Sequence, residues 1–151
     1  MLTQAVKKSM DQSVLCWLAT SSADAQPNVS PKEIFTYYGE DIILIANIAS
    51  PNSLRNIKVN PKVCVSFIDI LVQKGFQVKG HATIVTKEVT NFSIYHDLLY
   101  QIAGPNFPFS SLFEVKIEQV KPIIAPKYIL FPDTTEAAQI ESAKRLYKLE
   151  E

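Results

Sequence analysis

Short β-compatible apolar runs, VLCWLA, DIILIAN, KVCVSFIDI, FQVKGHATIV and LFEVKIEQV, are separated by prolines, glycines and polar turns. That rhythm confines the chain to a fold of several short antiparallel strands. Ser13 to Thr20 is continuously apolar and reads as a buried first strand. Asn28 to Tyr38 reads as a second, with Pro31 removing a ladder donor and so requiring an edge or a bulge. Tyr38-Gly39-Glu40-Asp41 turns the chain into a third strand, DIILIAN, apolar on both faces. KVCVSFIDI and FQVKGHATIVTK form a hairpin as the fourth and fifth. LFEVKIEQVKPIIA alternates at first and supplies a sixth with one wet face.

Helical spacing appears between these runs. Leu2, Val6 and Met10 stand at i, i+4 and i+8. Leu54 and Ile57 mark a helix of about two turns, expected beside the third strand. Val89, Phe92, Tyr95, Leu98 and Leu99 predict a helix over 88–103. After Thr134-Thr135-Glu136 a capped helix follows, with Ile140, Ala143 and Tyr147 as its apolar face. These elements predict a mainly β, α+β fold: a small barrel of about six antiparallel strands decorated by helices, in a single domain over 1–151. Six such strands need closure or a covering partner at their edges, and the aromatic segment NFPFSSLF adds apolar surface. A homodimer is expected.

Fifteen basic and fifteen acidic residues cancel, so no global field attracts a polyanion and no nucleic-acid partner is expected. Glycines at 39, 75, 80 and 104 spell neither G-x-G-x-x-G nor G-x-x-x-x-G-K, which removes the dinucleotide fingerprint and the P-loop. Cys16 and Cys64 lie in apolar runs without C-x-x-C spacing and read as buried thiols of a reducing compartment. His81 and His96 have no ligand cluster around them, so no metal is expected. The polar N-terminus and the lack of a long apolar run predict a soluble, cytoplasmic protein without a membrane partner.

The most informative short segment is Ser50-Pro51-Asn52-Ser53. Serine at an N-cap followed by proline starts a helix, whose first N–H groups and dipole favour an anion. The position three after the cap, where a glutamate often folds back, is Ser53, so the helix end has no carboxylate of its own. Arg55, Lys58 and, across the turn, Lys32 are the cations within reach. The same segment also reads as an ordinary Ser-Pro cap.

The order of the segments, with DIILIANIASPNS, NPKVCVSF and VKGHA in series, resembles the FMN-binding split barrel of the pyridoxine (pyridoxamine) 5′-phosphate oxidase-like superfamily over about residues 10–120. The resemblance implies a homodimer with FMN in a groove between subunits. Ser30, Pro31 and Lys32 would lie along the ring and ribityl chain. Asn47, Ile48, Ala49 and Ser50 would edge the flavin through backbone groups, and Asn52 and Ser53 would hold the phosphate. Gln77 and Lys79 of the other subunit, with Phe107 or Phe109, would wall the ring.

The oxidases themselves carry arginine and lysine on the second strand and a Ser-Arg-Lys run beside the phosphate. Here Ser30, Phe35 and Ser50-Pro51-Asn52 stand instead, so oxidation of a phosphorylated B6 vitamer is not expected. What the resemblance leaves is an FMN-binding oxidoreductase passing electrons to a small acceptor. The alternatives are a noncatalytic flavin or haem carrier or sensor, and a cofactor-free dimeric ligand-binding protein. F420 is a further cofactor of the superfamily. No side chain is nominated as a catalytic acid or base.

Overall fold

The computed structural model describes residues 1–149. Helix α1 (Gln4–Gln12) starts where the Thr3 hydroxyl accepts the Val6 N–H at 3.4 Å, and its periodic Val6 and Met10 are buried as the spacing predicts. Strand β1 (Cys16–Ser21) alternates instead of being buried on both faces: Cys16, Leu18 and Thr20 face inward, and Trp17 points out, 45% exposed. The strand expected over 28–38 is two strands, β2 (Pro27–Lys32) and β3 (Phe35–Tyr38), interrupted at Glu33-Ile34. The chain leaves one sheet edge there and joins the other. β4 (Ile42–Ala46) is buried on both faces, and β5 (Lys62–Asp69), β6 (Lys74–Thr86) and β7 (Ser111–Ile124) complete the set.

All pairings are antiparallel, in the order β2-β1-β5-β6-β7-β4-β3, so the sheet has seven strands where about six were expected. Its two edges, β2 and β3, are joined by two residues of chain. The sheet must therefore curl until its edges meet, yet β2 and β3 do not pair, which makes a barrel with one open seam. Ile34 extends the β3–β4 ladder by one rung, its carbonyl accepting the Ala46 N–H at 3.0 Å.

Inside the curl, Leu18, Ile43, Ile45, Val65, Val78, Phe113 and Val115 form the main core. Fully burying one such side chain stabilises the fold by about 1.5–3 kcal/mol. At the Lys79/Gly80 bulge β6 crosses β7 so closely that a Cβ on Gly80 would lie 2.2 Å from the Lys116 carbonyl oxygen. Outside, α3 (Phe92–Ala103) sets Tyr95 and Leu99 on Leu44, Ala46 and Leu112 as a second core. It begins at Phe92 and not at Glu88, because 88–91 forms a turn that leaves Val89 41% exposed.

Helix α2 (Pro51–Val59) starts at the predicted proline but does not pack beside β4. It lies over β1, β2 and β6, where Ile57 enters the main core and the Asn56 amide donates to the Thr20 hydroxyl at 3.0 Å. Beyond β7 stand α4 (Pro126–Leu130) and α5 (Glu136–Tyr147). α5 buries Gln139 and Ala143, whereas Tyr147 is 51% exposed, so its inward stripe is turned from the one expected.

Candidate anion-binding site at the barrel seam

Strand alternation directs Ser30 and Lys32 toward the core, since their cross-strand partners are the buried Leu18 and Cys16. An edge strand beside the seam thus delivers a lysine to the interior, where it is only 8% exposed. Its ammonium donates to the Ser50 hydroxyl, which in turn donates to the Ile48 carbonyl at 3.0 Å. Among the described residues Lys32 takes part in no ion pair. Burial pushes its pKa below the ordinary lysine value, the Cys16 thiol opposing that shift. A buried cation with only hydroxyl company is costly to the fold unless an anion joins it.

The start of α2 lies on the far side of that hydroxyl. Ser50 is the N-cap residue, but no side chain caps the helix, because the Ser50 hydroxyl is committed to Lys32 and Ile48. The first-turn N–H groups therefore keep their unmet capacity and the positive end of the dipole. Ser53, 1% exposed, sets its hydroxyl 3.1 Å from that of Ser30. Asn52 is exposed and accepts from Arg55 on its own helix, so neither reaches inward. Positive charge and hydroxyls gathered this way are complementary to a phosphate.

Beside them opens a cavity of about 250 Å³ lined by Pro31, Lys32, Glu33, Ile34, Ala46, Ile48 and Phe107. Its walls are largely apolar, with the Lys32 and Glu33 side chains as the charged groups. The turn into α2 gets its shape from Ala49, which adopts a left-handed φ of 49°. Asn47 is fixed sideways, its amide donating to the Ser111 hydroxyl at 2.9 Å.

Of the residues singled out in the sequence, Ser30, Lys32, Ile48, Ser50 and Ser53 share one hydrogen-bonded neighbourhood, with Pro31 on the cavity wall. Gln77 and Lys79 are not part of it. They pair with Ser66 and Cys64 on β5, which in turn pair with Trp17 and Ala19 on β1, three strands from β2 on the outward face. At about 4.8 Å per strand the separation within one chain is roughly 14 Å. Phe107 lines the cavity of its own chain. Phe109 instead packs on His96 of α3 with ring centres 4.6 Å apart.

Glu33, Ile34 and Ala46 were missed. Their only sequence signal is their position at the strand break, which no periodicity marks. Cys16 is buried as expected and its pKa is pushed up to about 12, so it is no nucleophile. Cys64 is only half-buried, because it faces outward beside Lys79. The described residues hold no cluster of three metal-ligating side chains, and no helix among them is long and apolar enough to cross a membrane.

A family model described as pyridoxamine 5′-phosphate oxidase matches residues 2–124. No curated protein matches the chain. Among solved structures, HupZ of Group A Streptococcus shares 22% identity at a TM-score of 0.68, covering 80% of this chain and 92% of its own. An FMN-binding protein of Syntrophomonas wolfei shares 18% at 0.68, covering 82% and 87%. The heme storage protein HutZ of Vibrio cholerae shares 20% at 0.66, covering 82% and 94%. At these identities the likeness is one of fold.

Proposed function

The chain belongs to the pyridoxamine 5′-phosphate oxidase family, and from that premise we propose that it binds FMN at the barrel seam and works as a flavin-dependent oxidoreductase on a small acceptor. The observation that carries this reading is Lys32, a buried cation without a counter-ion, set against the uncapped start of α2. Lys32, Ser50, Ser53 and the first N–H groups of α2 hold the phosphate. Pro31, Ile34, Ile48 and Phe107 give the ring an apolar slot. When bound, FMN supplies the electron-transfer chemistry. The chain's residues bind, orient and keep water from one face of the ring. Lys32 is the only buried lysine or arginine of the described chain, so no second interior cation is left for a substrate phosphate.

The outward face of β2-β1-β5-β6 supports the homodimer. α3 covers the outward face over β3 and β4, while on the outward face of β2 and β1 Val29 and Trp17 remain 57% and 45% exposed. A second copy placed there brings its Gln77 and Lys79 toward the cavity, a short way from Pro31, the cross-strand partner of Trp17. The dimer forms in the cytoplasm.

Anaerobic titration with FMN followed by NADH or NADPH tests the proposal. Saturable flavin uptake followed by bleaching is expected. Uptake without bleaching would leave a carrier in place of an enzyme, a reading favoured by the absence of any acid–base pair in the cavity beyond Lys32 and Glu33. Preference for haem would move the cofactor assignment, and no uptake of either would leave a cofactor-free ligand-binding protein.

A further inference from the structure

Helix α3 carries a column of three rings beside the second core. Phe92, His96 and Tyr100 follow one another at i, i+4 and i+8, so they stand on one face of the helix. The His96 ring lies 5.2 Å from that of Phe92 and is stacked on that of Tyr100 at 5.9 Å, centre to centre. A fourth ring comes from the chain beyond the helix: Phe109, 4.6 Å from His96. The helix beneath is fixed, because Tyr95 and Leu99 are buried in the second core.

The segment 105–110, which brings Phe109 there, gets little support from hydrogen bonds. Pro105 and Pro108 have no N–H to donate. Among the described residues its one backbone bond runs from the Phe107 N–H to the Gly104 carbonyl, at a long 3.5 Å. The ends are held. Gly104 closes α3 at a left-handed φ of 67°, and the Ser111 carbonyl accepts the Asn47 N–H at 3.1 Å. Between those ends, side-chain packing must set the path.

Phe107-Pro108-Phe109 is stiff, since Pro108 fixes its own φ and confines the preceding Phe107 to extended backbone. A shift at Phe109 is therefore carried to Phe107, which lines the seam cavity together with Ile34 and Ile48. Those two pack against the second core, as Phe109 does, so this wall of the cavity has one common support. Phe107 itself is 55% exposed, too little buried to hold its own place. We propose that His96 is a positioning residue for the flavin site: the ring column of α3 seats Phe109, and Phe109, through Pro108, holds Phe107 against the flavin. His96 is not part of the cavity wall and acts through these two rings. Histidine suits the seat, offering a flat face for stacking and a polar edge for water. The inference rests on the FMN reading and adds what fixes one wall of the slot.

The full chain is compared with His96→Ala, His96→Leu and His96→Phe, with thermal melts and far-UV circular dichroism checking the fold. FMN affinity is the first readout. The second adds Phe107→Trp to each chain as a reporter, because tryptophan touching the flavin ring quenches its emission and a displaced one does not; flavin lifetimes give the quenched fraction. The third needs no flavin. Chymotrypsin can cut the Phe109–Ser110 bond once Phe109 leaves its seat, while Pro108 protects the bond after Phe107. His96→Ala should raise the Kd for FMN roughly 2- to 10-fold, the size of a lost aromatic pair, shrink the quenched fraction and speed the cut. His96→Phe should restore all three, and His96→Leu, which fills the space without a ring, should not. Unchanged affinity, quenching and cleavage in His96→Ala overturn the positioning role while leaving the flavin site. Full rescue by leucine does the same, since bulk alone would then suffice. A parent that takes up no FMN overturns the flavin reading and this role with it, even where the cut accelerates.

Discussion

Replacing Lys32 by methionine separates the roles of its charge and its stem. Methionine keeps most of the buried chain and removes the ammonium. In the free protein Lys32 is 8% exposed, its ammonium having a serine hydroxyl as its partner and no carboxylate. Its loss orphans little, because Ser50 still donates to the Ile48 carbonyl. Removing an uncompensated buried charge is expected to stabilise the free protein by about 1 kcal/mol or more. FMN binding should move the other way. One charge-assisted hydrogen bond to a phosphate is worth about 1–3 kcal/mol, so the Kd should rise roughly 5- to 150-fold.

The acid–base behaviour carries the same signature. Burial lowers the pKa of Lys32, so between that value and the ordinary lysine value the unfolded chain binds more protons than the folded one. Stability of the free protein therefore climbs with pH across that window, and Lys32→Met removes the climb. FMN affinity of the parent falls over the same range as the ammonium discharges. Urea denaturation with and without ligand, beside fluorescence titration with FMN, measures both quantities. A methionine variant that binds FMN as tightly as the parent, or whose free form is markedly destabilised, would refute the argument that the lysine waits for an anion.

Arg55→Ala should change FMN affinity little, because Arg55 is exposed and turned onto Asn52; the same titration reads it, and a loss matching that of Lys32→Met would mean the phosphate lies outside the seam. A thiol reagent at neutral pH should label Cys64 in the native protein and reach Cys16, fully buried and with its pKa near 12, only after denaturant is added. Prompt labelling of both by mass spectrometry would contradict the burial. Gly80→Ala should destabilise by roughly 2–4 kcal/mol in urea melts, since its methyl meets backbone that cannot step aside. A neutral effect would show that the bulge is softer than its spacing.

Much of this fold is written in periodicity. Val6 and Met10 predicted α1, Ser50-Pro51 predicted the start of α2, and the apolar DIILIAN predicted a strand buried on both faces. Periodicity failed where tertiary contact decides. Ile34 looks like any strand residue, yet the strand breaks there, where the chain leaves β2 at one sheet edge for β3 at the other. The sheet that α2 would cover depends on the closure of the barrel, which no local pattern encodes. Glu88 and Val89 fit a helix by spacing but were drawn into the turn that ends β6. At the site, the residue types and the helix start were legible. The depth of Lys32 was not, because a lysine on an edge strand reads as solvated until its strand is given an inside.

The open seam also governs how the molecule breathes. Four consecutive residues, 31 to 34, line the cavity where the ring of strands fails to close. An occupant wedged there acts as a keystone, braced on β2 from one side and on the turn after β4 from the other. The two unpaired margins should then trade their amide hydrogens with water quickly when the slot is empty and slowly when it is filled, while the β5-β6-β7 staves keep theirs in either state. Departure of the occupant is tied to the parting of those margins, so the clock on its residence is set by the scaffold as well as by the contacts it makes.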